Sequence, residues 1–270
     1  MPKAYTKEIL QQAYNLITIE KYSANKAAKE LGIDCGTMRK RLKEHFNLTF
    51  LPDGKKKINS NFFNAIDTEE KAYWLGFLTA DGYIKGTGSI ELGLAEVDKE
   101  HIEKLKKALG SEHKLGKKET KLNNKIYTSY KISFKDKIMT QDLIKYGLTP
   151  NKSYDAYIPE DLIEEKYIRH YIRGLFDGDG SLYSYKQSNG KERNELSLVT
   201  ASEVMVKDLL EIIKLHADID MKYRKSRSLH EIRLYDQFQI RAFLRWIYDD
   251  SNISLDRKYN KAIAVLNQSY

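Results

Sequence analysis

Two stretches of nine residues, nearly a hundred positions apart, constrain this 270-residue chain more than any other feature. Residues 74–82 read WLGFLTADG and residues 172–180 read IRGLFDGDG. Each joins an apolar helical segment with small residues to an Asp-Gly step, and strand-like alternation follows. Ile90, Leu92 and Leu94 alternate with Glu91, Gly93 and Ala95; Leu196 and Leu198 alternate with Ser197 and Val199. A helix comes next in each half, over 98–109 and 203–217. Further alternation over 130–135 and 231–235 leads to closing helices near 137–147 and 238–249. Even the trailers match loosely, LTPNKSY at 148–154 and SLDRKY at 254–259. The repeat predicts an α+β fold of two pseudo-two-fold-related αββαββα halves, residues 67–155 and 156–270.

The nonapeptides carry a physical argument of their own. Gly76 and Ala80 lie one helical turn apart, as do Gly174 and Gly178. Small residues at that spacing let two helix backbones approach closely. If the two helices pack through those faces, their C-terminal ends meet. Asp81 and Asp179 stand at those ends, with Gly82 and Gly180 expected as left-handed caps. Two carboxylates beside two negative helix termini need a cation, and an oxygen-preferring divalent ion, Mg²⁺ above all, supplies it. Such an ion polarises a phosphodiester and activates water. Asp-Gly alone is a common turn. Two occurrences in the same helix–strand context favour a metal site.

Other motifs fail on spacing. An EF-hand starting at Asp177 needs Gly at its sixth place and Glu at its twelfth; Leu182 and Ser188 stand there. Gly86-Thr87-Gly88 lacks the third glycine of a nucleotide loop, because Glu91 occupies that place, and reads as a hairpin turn. The six histidines show no metal-ligand spacing and read as surface or satisfied core residues.

WLGFLTADG and IRGLFDGDG resemble the paired motifs of LAGLIDADG homing endonucleases in their single-chain, two-motif form. The likeness covers residues 67–270. It implies a saddle of antiparallel strands over double-stranded DNA, with the motif helices at its centre, and Mg²⁺-dependent double-strand cleavage near the midpoint. By position it implies metal binding by Asp81 and Asp179, with the carbonyls of Ala80 and Gly178 as further ligands. Lys152 and Lys258 fall in the trailers, where the family places basic residues near the scissile phosphates. Position six holds Asp177 in one copy and Thr79 in the other, a departure at a place that is not the principal ligand. The resemblance also implies a mobile intron-borne or free-standing gene. The chain starts at Met1 without flanking splicing residues, so an intein is not expected.

The front of the chain differs. Residues 1–57 hold 12 Lys and Arg against 6 Asp and Glu, most of the chain's net charge of +8. Residues 6–46 read as three short helices capped by Thr6, Ser23 and Asp34, with Gly32 ending the second. AAKELGIDCGTMRKRL resembles a helix-turn-helix. Its third helix, 36–46, turns Thr37, Arg39, Lys40, Arg41 and Lys43 outward, suited to a DNA major groove. The expected division is therefore a small all-α helix-turn-helix domain over 1–48, a polar linker over 49–66, then the two repeats. On the repeats, Lys131, Lys135, Lys222, Arg224 and Arg233 lie on the polar sides of strands as candidate DNA contacts. Residues 58–270 carry a net charge of only +2, so these groups must be segregated in space.

Composition narrows the rest. No apolar run is long enough to span a bilayer, and no signal peptide is visible. Cys35 is the only cysteine, so no internal disulfide can form, and a cytoplasmic, nucleoid-associated protein is expected. The expected function is a monomeric, site-specific DNA endonuclease. The alternative is a non-cleaving DNA-binding regulator or RNA maturase on the same fold.

Overall fold

The computed structural model describes residues 5–48, 50, 56–85, 88–150 and 154–268. It divides into two compact units, one up to residue 56 and one from residue 57 onward.

The first unit is three helices, α1 (Lys7–Thr18), α2 (Ala24–Leu31) and α3 (Cys35–Phe46). Thr6, Ser23 and Asp34 each accept a backbone N–H of the first turn, from Ile9, Lys26 and Thr37. Gly32 ends α2 at φ +66°, the left-handed conformation its lack of Cβ permits. Leu10, Ala13, Ala28, Met38 and Leu42 form the core. Thr37, Lys40 and Arg41 are exposed as expected, whereas Arg39 is half-buried with its guanidinium 5.7 Å from the Phe50 ring.

The second unit holds the two repeats. The first runs α4 (Glu69–Asp81), β1 (Gly82–Ile84), β2 (Ser89–Ala95), α5 (Lys99–Ala108), β3 (Gly116–Leu122), β4 (Lys125–Lys135) and α6 (Lys137–Lys145). The second runs α7 (Glu165–Asp179), β5 (Gly180–Lys186), β6 (Glu192–Thr200), α8 (Glu203–Ala217), β7 (Lys222–Ser226), β8 (Leu229–Leu234) and α9 (Gln237–Tyr248). A further helix, α10 (Asp256–Leu266), follows, beginning within the trailer SLDRKY. Each repeat makes one antiparallel four-stranded sheet, in the orders β1-β2-β4-β3 and β5-β6-β8-β7. No helix among the described residues is long and apolar enough to cross a membrane.

The period-two pattern fixes each sheet's orientation. Ile90, Leu92, Leu94, Ile132 and Phe134 turn inward in one sheet, and Leu196, Leu198, Ile232 and Leu234 in the other. Paired residues share a face, so Lys131, opposite Gly93 and Gly116, stands on the outer face with Lys118 and Lys135. Lys222, Arg224 and Arg233 share the outer face of the second sheet.

The expected linker is shorter than its polar composition suggests. Residues 57–66 belong to the larger unit, where Phe62, Phe63 and Ile66 enter the core. The Asn59 N–H donates to the Leu109 carbonyl, and Ser60 Oγ donates to Asp136 Oδ2 at 2.6 Å. Three apolar side chains outweigh the surrounding Asn and Ser residues, because burying each contributes about 1.5–3 kcal/mol.

Candidate metal and DNA site at the paired helix ends

Helices α4 and α7 pack along each other through the small residues of the repeated motif. A Cβ added to Gly174 would lie 2.7 Å from the Phe77 nitrogen, and one on Gly76 would lie 2.9 Å from the Tyr171 carbonyl carbon. The Tyr73 and Tyr171 carbonyl oxygens would be closer still. Nothing larger than hydrogen fits at either position. One turn further on, Gly178 faces Ala80 across the seam, and the Asp81 carboxylate lies 3.3 Å from where a Gly178 Cβ would stand.

Position six of each motif points into this seam, as its partners show. Tyr73 Oη donates to Asp177 Oδ2 at 2.7 Å, and in the pseudo-equivalent place Tyr171 Oη donates to Thr79 Oγ1 at 3.2 Å. Asp177 also accepts from Tyr248 Oη at 2.5 Å and from the Leu255 N–H at 2.7 Å. Burial raises its pKa above the usual carboxylate range, while those donors pull the other way. Position six is thus an inter-repeat contact.

Asp81 and Asp179 are the last residues of α4 and α7, and both are exposed. The glycines after them are extended, Gly82 at φ −75° and Gly180 at φ −73°, so they are not the left-handed caps expected. Their requirement for glycine is steric. A Cβ on Gly82 would stand 2.5 Å from the Leu78 carbonyl oxygen, and one on Gly180 at the same distance from that of Phe176. The chain passes straight from helix into β1 and β5, so each acid is fixed between a helix and a strand. Thr79, Ala80, Gly82 and Asp179 line a 390 Å³ cavity together with Thr200 and Met205.

Lys258, on α10, closes over the end of α7. Its ammonium donates to the carbonyls of Phe176 at 2.6 Å, Gly178 at 3.0 Å and Gly180 at 2.6 Å. Burial lowers its pKa to about 8, against the pull of Asp177, Asp81 and Asp179. The Gly178 carbonyl, expected as a metal ligand, therefore already accepts from an ammonium and keeps one lone pair for an ion. Lys152 lies outside the described residues.

The donor set suits Mg²⁺. Among the described residues no group of three or more His, Cys, Asp or Glu could hold a metal. The protein offers two carboxylates and helix-end carbonyls, leaving places for water or a phosphate, as Mg²⁺ prefers.

The outer sheet faces answer the question of charge segregation. Lys85, Lys118, Lys131 and Lys135 share one face with Glu91, which binds Lys85 at 2.7 Å and Lys131 at 3.3 Å. Arg193, Lys222, Arg224 and Arg233 share the other with Glu195 and Glu231, both 2.7 Å from Arg233. Both faces are net positive although the unit is nearly neutral. Arg233, clamped by two acids, is the least free of the expected contacts.

Several residues that hold the site together were not singled out from the sequence. Arg173, fully buried, donates to Glu69 Oε1 at 2.6 Å, to the carbonyls of Ile247 and Ile253, and to His170 Nδ1. A charged residue inside the apolar stretch IRGLF is a signal that could have found it. The segment 249–258 reaches back to the first repeat: Asn252 donates to Glu69, Arg257 to Asp98 at 3.0 Å, and Lys104 to Asp256 at 2.6 Å.

Comparison with known proteins agrees with this geometry. Residues 166–249 match the family model of the LAGLIDADG-like domain, and residues 70–144 match that of the WhiA LAGLIDADG-like domain. The chain is therefore a LAGLIDADG protein. Within that class it is a two-repeat chain, its first repeat matched by the WhiA-type domain and its second by the LAGLIDADG-like domain. Among solved structures it is similar to the homing endonuclease I-WcaI bound to its DNA recognition sequence. The TM-score is 0.56 at 14% identity, over 83% of this chain and 98% of that one, a likeness of fold. The N-terminal LAGLIDADG domain of DUF199/WhiA matches with a TM-score of 0.47 at 16% identity, over 74% and 93%. Among curated proteins, the replication factor C small subunit of Methanocaldococcus jannaschii is 28% identical over 210 residues. That covers 76% of this chain and 10% of the relative, so the chain spans about a tenth of its length.

Proposed function

We propose that this chain is a site-specific endonuclease that hydrolyses phosphodiesters of double-stranded DNA with Mg²⁺. The observation that carries the reading is the pair of exposed carboxylates, Asp81 and Asp179, at the ends of two helices in backbone contact. Asp81, Asp179 and the Ala80 and Gly178 carbonyls would hold the ion. Bound there, Mg²⁺ would supply charge neutralisation at the phosphate and a more acidic water. The chain's own groups do the rest. The Gly–Gly seam keeps the two acids in register with two strands of opposite polarity. Lys258 places a positive charge behind Asp179, and Lys152 is proposed for the corresponding role in the first repeat. The outer faces, through Lys131, Lys135, Lys222, Arg224 and Arg233, bind the duplex. Thr37, Arg39, Lys40 and Arg41 of the first unit extend the contact, Arg39 through its exposed part.

A non-cleaving DNA-binding role is the second reading, favoured by the WhiA-type match of the first repeat. One experiment separates them. Purified protein is incubated with a randomised duplex library and Mg²⁺, and the ends are sequenced, for wild type, Asp81→Asn and Asp179→Asn. Defined ends from wild type, with nicking at most from either variant, support the nuclease. Binding with intact DNA under all conditions selects the second reading.

A further inference from the structure

The two repeats share a topology but not an outline. In the first, all seven residues of β2 pair with β4, so no residue of β2 runs past that neighbour. Instead β4 outruns β2: residues 125–128 pair only with β3. In the second repeat the relation is reversed. Residues 192–195 of β6 pair only with β5, whereas β8 outruns β6 by Leu229 alone. Each half thus carries one two-stranded ribbon projecting four residues, about 13 Å at 3.3 Å per residue, and it is not the same ribbon.

The groove-side faces of these ribbons are unlike the rest of the sheets. On β5–β6, Tyr185 stands opposite Arg193 and Tyr183 opposite Glu195. The two tyrosine rings stack with centroids 6.0 Å apart and planes at 15°, and Tyr183 is 60% exposed. No ion pair among the described residues engages Arg193, whereas Glu195 is held by Arg233. On β3–β4, Tyr127 and Leu122 lie on the same face as Lys118 and Lys131, and both are exposed. A two-stranded ribbon fits the major groove; there Arg reads guanine edges, and apolar groups meet the thymine methyl.

The ribbons also differ in stiffness. Asn194, on the back of β5–β6 and only 1% exposed, donates to Gln237 Oε1 at 3.1 Å and to Gln268 Oε1 at 2.8 Å. Gln268 follows α10, so the C-terminal helix braces this ribbon. Strand β3 is exposed along its whole length.

We infer that the two halves read DNA through different ribbons: Tyr183, Tyr185 and Arg193 on β5–β6 fix base choice in one half-site, and Leu122 and Tyr127 on β3–β4 fix it in the other. This rests on the DNA-binding reading above and assigns its specificity. The positive faces from which both ribbons continue make duplex DNA the occupant. Leu122 and Tyr127 select thymine; Arg193 selects guanine. The braced ribbon gives the sharper preference.

The test is selection of bound duplexes from a randomised pool by the full chain in Ca²⁺, with sequencing of the bound fraction. Variants are Arg193→Ala, the pair Tyr183→Ala and Tyr185→Ala, the pair Leu122→Ser and Tyr127→Ser, and Gln268→Ala as a positioning variant. Wild type should return an unsymmetrical consensus. Arg193→Ala and the tyrosine pair should each lower discrimination about tenfold or more at base pairs of one half-site only. Leu122→Ser with Tyr127→Ser should do so in the other half alone. Gln268→Ala should blur the first half-site without moving its position. Melting temperatures of the Arg193, tyrosine-pair and Leu122/Tyr127 variants should stay within about 2 °C, since these side chains lie outside the core. An unchanged consensus, or loss in the same half-site from both ribbons, overturns the ribbon assignment while leaving DNA binding intact. A folded wild type that returns no consensus overturns both.

Discussion

The seam between α4 and α7 can be tested one methyl group at a time. Gly174→Ala places a carbon 2.7 Å from the Phe77 nitrogen, where ordinary contact begins at 3.4 Å. The helices must separate locally by more than about 0.7 Å, because the Tyr73 carbonyl oxygen would be nearer still and the obstructing backbone atoms cannot rotate away. Overpacking of this kind costs typically 1–3 kcal/mol, and backbone against backbone belongs at the upper end. Replacing helical Gly by Ala returns about 1 kcal/mol. The net loss is about 2 kcal/mol, a fall in melting temperature of roughly 4–8 °C for a unit of this size. Gly76→Ala should behave alike, because it meets Tyr171 in the pseudo-equivalent place. The sharper expectation concerns the pair. Once one methyl has opened the seam, the second finds space already made, so the double variant should lose less than the sum of the singles by 0.5 kcal/mol or more. Urea melts of wild type, both singles and the double give the coupling directly. Strictly additive losses, or singles within 0.5 kcal/mol of wild type, would refute close packing at these glycines.

Three further expectations concern the buried polar groups. Arg173→Met should cost about 3–5 kcal/mol by urea melt, since it leaves Glu69 without its guanidinium partner and the Ile247 and Ile253 carbonyls without donors; a loss below 1 kcal/mol would mean the cluster relaxes freely. Asp177→Asn keeps one acceptor oxygen and turns an NH2 either toward Tyr248 or toward Tyr73 and the Leu255 N–H, so at least one donor loses its acceptor, and it should cost about 1–3 kcal/mol in the same assay; a neutral effect would refute the acceptor role. Burial lowers the His101 pKa from 6.5 to about 3. Only the unfolded chain takes up a proton there between those values, so the stability is fully present above pH 6.5 and is lost as pH falls toward 3. By pH 5 the loss from this group is about 2 kcal/mol. His101→Phe should flatten the fall in urea midpoint between pH 7.5 and pH 5, and an unaltered slope would exclude His101 as its source.

Much of this architecture is legible in the residues because the signals are local. The caps Thr6, Ser23 and Asp34 act within one turn, and the alternation of Ile90, Leu92 and Leu94 settles which face is buried. The close approach at Gly76 and Gly174 follows from small residues one turn apart and from their recurrence. What escapes notice is non-local. The inter-repeat role of Asp177 is hidden because its partners, Tyr73 and Tyr248, lie 104 and 71 positions away. Gly82 and Gly180 are needed for space and not for a positive φ, and composition does not separate those reasons. Helix α10 follows from tertiary packing: Lys258 satisfies helix-end carbonyls that no sequence window contains.

The unequal pairing at position six has a consequence for ancestry and engineering alike. One side of the axis joins a tyrosine to a carboxylate, the other a tyrosine to a threonine. A homodimer of the first half would have threonine on both sides and no counterpart of the 249–258 tether. A homodimer of the second would sink two carboxylates beside one axis, where burial already raises the pKa of one. The seam is thus unequal in chemistry though alike in geometry: a tyrosine stands in the same place on both sides, and only its acceptor differs.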